Sequence, residues 1–80
     1  MAAIDVYATW DPEAGVWVAE SEDVPGLATE ADTIEALADK LRTLIPELLD
    51  LNGIKPPTED DSIPFDIHAE RSDSASLATG

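Results

Sequence analysis

Between residues 4 and 10 every second side chain is apolar, which is the period of a strand with one buried face. Residues 11–15 contain a proline and a glycine and predict a hairpin turn. A second strand is predicted over residues 16–20. Because Trp17 points opposite to Val16 and Val18, we expect one tryptophan to remain on the outer face of the sheet.

Residues 21–26 are predicted to form a polar connection that ends in Pro-Gly, and residues 27–30 a short third strand at the sheet margin. A capping box follows, in which Asp32 is the expected helix cap and Glu35 reaches back to it. Apolar residues then recur every three or four positions as far as Leu48, so this helix is expected to pack on the sheet.

Pro46 lies within the helical pattern and predicts a kink or a short break near residues 43–45. Asn52 and Gly53 provide the expected end of the helix. Residues 54–62 are predicted to be an exposed loop that contains two prolines and three consecutive acids.

Alternation returns from residue 63 to residue 70 and predicts a fourth strand, in which Pro64 favours an edge position or a strand start. The fold class is therefore α+β, with an antiparallel sheet, the element order β-β-β-α-β, two layers and one main helix. We expect a single domain over residues 1–71 and a disordered tail over residues 72–80.

Charge restricts the classes of partner. The chain has 18 Asp and Glu residues against 4 Lys and Arg, a net charge of −14, and residues 1–39 contain ten acids and no Lys or Arg. This field repels phosphates, so we expect no direct binding of nucleic acid and none of a membrane. Two interpretations remain open, namely a face that keeps the protein soluble and a surface for a basic partner.

The amino terminus has neither the basic segment nor the apolar run of a secretory signal, and no stretch of about 18 apolar residues occurs anywhere. We therefore expect a cytoplasmic protein. The absence of cysteine excludes disulfides and thiol nucleophiles.

The candidate site residues surround the first hairpin. Carboxylates there could bind a divalent cation, but their spacing is not that of an EF-hand loop, so we expect no metal and no cofactor. His68 has no recognisable nucleophile near it in the sequence, so no catalytic residue and no enzyme activity are expected. An exposed tryptophan would provide a large contact area for a partner or for a homodimer, and we expect a homodimer. The partner-binding residues predicted on these grounds are Trp17, Asp11, Glu13, Glu20, Glu22 and Asp23.

Three segments carry a resemblance to a known family. They are Asp-Pro-Glu-Ala-Gly-Val-Trp-Val-Ala at residues 11–19, Asp-Val-Pro-Gly-Leu-Ala-Thr at residues 23–29, and the helix start with its Glu-Ala-Leu at residues 35–37. Over about residues 4–52 the chain resembles the HicB-like antitoxin domain, and its later part looks like a small stand-alone branch of that superfamily of unknown function. The resemblance implies three strands, a helix and a further strand, a degraded ribonuclease-H-like layout without nuclease activity.

In the HicB-like family this domain binds and neutralises a small basic toxin that cleaves messenger RNA, and a separate carboxy-terminal module binds operator DNA. Residues 72–80 are too few for that module, so autoregulation through DNA is not expected. The resemblance implies an antitoxin-like, non-catalytic protein-binding module. Two alternatives stay open: a stand-alone regulatory or ligand-sensing domain without a toxin, and a residual Mg²⁺-dependent nuclease. The nuclease ranks last because the sequence offers no basic surface to hold its substrate.

Overall fold

The computed structural model describes residues 3–56 and 62–77. Along the chain the elements are β1 (Ile4–Asp11), β2 (Val16–Glu20), β3 (Ala28–Ala31), α1 (Ile34–Leu51) and β4 (Phe65–Glu70). The four strands form one mixed sheet in the order β3-β2-β1-β4, and α1 packs on one side of it. The fold is α+β.

The direction of β4 differs from the sequence prediction. β2 is antiparallel to both β1 and β3, but β4 is parallel to β1, so the sheet is not wholly antiparallel. The reason lies in the connection. β3 runs in the same direction as β1, and the single helix then returns the chain to the end where β1 begins. β4 therefore starts beside Ile4, whose N–H donates to the carbonyl of Pro64 at 3.0 Å.

The helix begins one residue later than the capping box predicts. Its N-cap is Thr33, whose Oγ1 accepts the N–H of Ala36 at 3.0 Å, so the expectation that Asp32 is the cap is wrong. The helix also continues through Pro46 without a break. Buried leucine and isoleucine side chains on both sides of this proline hold the two halves on the same core, which offsets the lost backbone hydrogen bond. The helix ends at Leu51 with Asn52 as its C-cap, and Gly53 has a φ of +64°.

The core is thin and wholly apolar. Four helical side chains spaced four residues apart pack against the inward side chains of β1, Ala19 of β2 and Ala31 of β3. The connection between β2 and β3 contributes two further core side chains, Val24 and Leu27. Val24 lies in the segment predicted to be polar, and Leu27 was predicted to begin the third strand, which instead begins at Ala28. The buried residues are Ile4, Val6, Ala8, Ala19, Val24, Leu27, Ala31, Leu37, Leu41, Ile45 and Leu49. No polar side chain is buried in the described part of the chain.

The remaining predictions concern the loop and the tail. Residues 57–61 of the predicted loop and residues 78–80 of the predicted tail lie outside the described residues. Residues 71–77 form neither helix nor strand, and disorder of the tail stays a prediction. In the two described ranges no helix is long and apolar enough to cross a membrane.

Candidate functional site

Trp17 does not lie on the outer face of the sheet, where it was predicted from the sequence. It pairs directly with Trp10 across the β1–β2 hairpin, and the two rings meet edge to face with centroids 5.4 Å apart. Both side chains are on the helix side of the sheet, and Trp17 is half-buried against the hydrophobic core. The expectation of a tryptophan on the outer face is therefore wrong. Position 17 falls on the same side as buried Ala19, while Val18 faces outwards.

The guanidinium of Arg71 extends this aromatic pair. It lies 4.2 Å from the ring centroid of Trp10, within the range of a cation–π interaction. Arg71 follows directly after β4, and Glu70 is paired with Thr9 of β1, which places Arg71 beside Trp10. The contact attaches the segment after β4 to the hairpin end of the sheet.

The five predicted carboxylates do not form one cluster. Asp11 and Glu13 lie at the hairpin turn, whereas Glu20, Glu22 and Asp23 lie at the opposite end of β1 and β2. Six residues of strand separate the ends of β1, a distance on the order of 20 Å. The idea that the hairpin gathers all of them is therefore wrong, because β2 carries the chain away from the turn before the later acids occur.

Two of these carboxylates hold backbone in place. Oδ1 of Asp11 accepts the N–H groups of Glu13 and Ala14 at 3.1 and 3.3 Å, and thus shapes the hairpin turn. Oδ2 of Asp23 accepts the N–H of Asp5 at 2.9 Å, while the hydroxyl of Ser21 donates to the carbonyl of Asp5 at 2.5 Å. These bonds fasten the connection after β2 to the start of β1. Glu13, Glu20 and Glu22 stay exposed.

The side of the sheet away from the helix is uncovered, and we call it the outer face. It consists of the outward-pointing residues of the four strands, of which none is buried. Six of these twelve positions are acidic and none is Lys or Arg. The members are Asp5, Tyr7, Thr9, Asp11, Val16, Val18, Glu20, Ala28, Glu30, Asp66, His68 and Glu70.

An aromatic pair lies on the outer face. Tyr7 stacks on the ring of His68 of the neighbouring strand, with centroids 5.1 Å apart and planes 23° from parallel. Nε2 of His68 is 2.9 Å from Oδ1 of Asp5, which fixes the imidazole between its two neighbours. Tyr7 is 49% exposed and Val18 is 39% exposed. The centre of this face is therefore partly apolar, and its margins carry carboxylates.

The carboxylates of the two described ranges are dispersed rather than clustered. Within residues 3–56 and 62–77, no group of three or more potential ligands is arranged to hold a metal ion. Of the predicted site residues, Asp11 and Glu20 lie on the outer face, and Glu20 is opposite Tyr7. Tyr7, Val18 and Glu30 also lie on the outer face and were not among the predicted site residues. For Tyr7 the sequence did contain a signal. It alternates with the apolar positions of strand one, together with Asp5 and Thr9, and this alternation predicts that its side chain faces outwards.

Comparison with known proteins assigns the chain to a family. Residues 3–78 match the family described as "Domain of unknown function (DUF1902)". The chain belongs to the DUF1902 family. Its described fold is similar to the crystal structure of the hypothetical protein TTHA1013 from the extremely thermophilic bacterium Thermus thermophilus. The two share 46% sequence identity over 95% of this chain and 100% of that chain, with a TM-score of 0.69.

No curated protein matches this DUF1902 chain. The family match extends beyond β4 to residue 78, so it includes the described segment after β4 as well as the sheet and the helix.

Proposed function

We propose that this protein is a non-catalytic, antitoxin-like binding module whose outer face covers a small basic partner directed at RNA. The observation that carries the proposal is the acidic outer face, which has acidic residues at six of its twelve positions and no Lys or Arg. A basic protein would be steered to this face by charge, and acidic or phosphate-bearing molecules would be repelled. A cytoplasmic location belongs to the same proposal.

The layout of this face supports a protein contact. Interfaces commonly have an apolar or aromatic centre and a polar rim, and tyrosine is frequent among residues that dominate the binding energy. Tyr7 and Val18 provide such a centre, while Glu20, Glu30 and Glu70 lie around it. The ring of Tyr7 is already held by its stack on His68, so little side-chain entropy is lost when it is covered.

The resemblance to HicB-like antitoxins supports the same class of partner, since those domains neutralise a small basic toxin. The DUF1902 family itself carries no assigned function. The alternative is a stand-alone regulatory or ligand-sensing domain, with or without a homodimer. It makes the opposite prediction about copurifying proteins, so one experiment separates the two.

The test is affinity purification of the tagged full-length chain from its own host, with mass spectrometry and light scattering of the eluate. We expect a stoichiometric small basic protein. A variant with Glu20→Lys and Glu30→Lys should lose it. A control with Glu47→Lys and Asp50→Lys makes the same change in net charge on exposed helical positions and should retain the partner.

Recovery of the chain alone, as a monomer or as a homodimer, from repeated purifications would contradict the proposal and favour the stand-alone alternative. Equal loss of the partner in both charge-reversed variants would show that net charge, and not the outer face, determines binding.

A further inference from the structure

β4 is the least protected strand of the sheet. It pairs with β1 on one side, and among residues 3–56 and 62–77 no strand pairs with its other side, which is an edge of the sheet. None of its six residues is buried, because the helix packs mainly over β2 and β3. An exposed strand edge presents unpaired backbone N–H and C=O groups that can pair with another chain.

The register identifies which backbone groups are at the edge. The carbonyl of Pro64 accepts the N–H of Ile4, so it points towards β1. Residues two apart in a strand direct their backbone groups to the same side, and hence Asp66, His68 and Glu70 also pair with β1. The N–H and C=O groups of Phe65, Ile67 and Ala69 therefore face away from the sheet.

The opposite edge is protected in a way that β4 is not. β3 has four residues, and Nζ of Lys40 donates to the carbonyl of Glu30 at 2.5 Å. A short strand with a lysine at its margin is a common defence against strand pairing. Along β4, the described residues provide no lysine in such a position.

Charge opposes one register of self-pairing at this edge and favours pairing with a basic strand. Asp66 and Glu70 project from β4 on the outer face. In an antiparallel pair of two β4 strands centred on His68, Asp66 would lie opposite Glu70 of the second copy. Like charges directly opposite each other are destabilising. A strand with basic side chains at alternate positions would instead place a cation near each carboxylate.

The inner side of the edge suits apolar side chains. Between the helix and the start of β4 there is a groove of about 350 Å³, to which Leu41, Ile45, Pro46, Ile63 and Phe65 contribute apolar walls. Successive side chains of a strand point to opposite sides. One extended segment can therefore direct basic side chains to the outer face and apolar ones to this groove.

We propose that the free edge of β4 binds an extended segment of a protein partner, with alternating basic and apolar residues, as a fifth strand of the sheet. The inference rests on the proposed function in that both require a basic partner. A fifth strand would also add contact area to that of the outer face.

The probe is a blocked heptapeptide, Lys-Val-Lys-Val-Lys-Val-Lys, added to the full-length chain, and the readout is amide hydrogen exchange followed by NMR. At ten times the dissociation constant, the amides of Phe65, Ile67 and Ala69 should exchange about tenfold more slowly, since about a tenth of the protein remains free. Asp66, His68 and Glu70 should change little, because their amides are already bonded to β1.

Charge variants test the specificity of this contact. Asp66→Lys with Glu70→Lys should weaken peptide binding on the order of fivefold or more, from the loss of two exposed ion pairs and the gain of repulsion. The helical control, Glu47→Lys with Asp50→Lys, should change binding less than twofold. A peptide with glutamate in place of lysine should not bind.

Three results would overturn the inference: no binding of the basic peptide, binding that shifts Tyr7 and Glu20 without protecting the three edge amides, and self-association of the free chain through β4. These results do not depend on the copurification experiment. If a natural basic partner bound without protecting the edge amides, pairing at the β4 edge would be refuted, while the proposed function would still hold.

Discussion

Replacing Trp17 by alanine tests whether this side chain stabilises the fold or serves to bind a partner. The quantity that decides is the free energy of unfolding. The side chain is half-buried against the core and meets Trp10 edge to face. Truncation of a fully buried large aromatic costs about 3–5 kcal/mol, and an aromatic pair adds about 0.5–1.5 kcal/mol beyond area burial. With partial burial, Trp17→Ala should lower the free energy of unfolding by about 2–3 kcal/mol.

The assay is urea denaturation followed by far-ultraviolet circular dichroism, which does not depend on the tryptophan that is removed. For a chain of this size a loss of 2 kcal/mol corresponds to a fall in Tm of about 8–16 °C. Val18→Ala is the matched control in the same strand. Because Val18 points to the exposed outer face, its truncation should cost less than about 1 kcal/mol.

A double-mutant cycle completes the test. Trp10→Ala and Trp17→Ala should couple by about 0.5–1.5 kcal/mol, because the two rings are in contact. If Trp17→Ala unfolded at the same urea concentration as the parent chain, the packing argument would be refuted. Loss of partner binding with unchanged stability would then restore Trp17 to the contact surface.

Three further predictions concern the helix and the segment after β4. Thr33→Ala should lower the free energy of unfolding by about 1 kcal/mol, because Thr33 is the helix N-cap, whereas Asp32→Ala should lower it by only about 0.3 kcal/mol. Chemical denaturation measures both values, and a larger loss for Asp32→Ala would contradict this. Pro46→Ala should raise stability by about 1–3 kcal/mol, measured by calorimetry, because it restores a backbone donor inside a continuous helix; a lower Tm would contradict this. Arg71→Ala should remove about 0.5–1 kcal/mol and increase the solvent quenching of Trp10 fluorescence, and unchanged quenching would argue against the cation–π contact.

The fold could be predicted from the sequence as far as local chemistry determines it. The period of two located β1 and β2, and the period of three to four located the helix, with errors of a residue or two at some ends. Strand direction is different. The parallel pairing of β4 with β1 results from the length of the helix and the end of the sheet to which it returns the chain, and no residue in β4 encodes that direction.

The candidate site was harder to predict, because the sequence does not show whether an acidic side chain accepts a hydrogen bond from the backbone or faces solvent. Asp11 and Asp23 accept backbone N–H groups, while Glu20 remains outward and unburied. Only the hydrogen-bond partners distinguish these uses. Tyr7 was overlooked for the opposite reason, since one exposed aromatic in a strand acquires meaning only when the register brings His68 beside it.

The arrangement of charge on the outer face is more costly than solubility requires. Asp5 and Asp66 are direct cross-strand neighbours, and like charges in that position are destabilising. Nε2 of His68 contacts the carboxylate of Asp5. Solubility could be achieved with the same acids spread over the helix and loops, away from one another. The proposed basic partner would relieve this repulsion as it binds, which would account for the density of acids on one uncovered face of a domain whose core is thin.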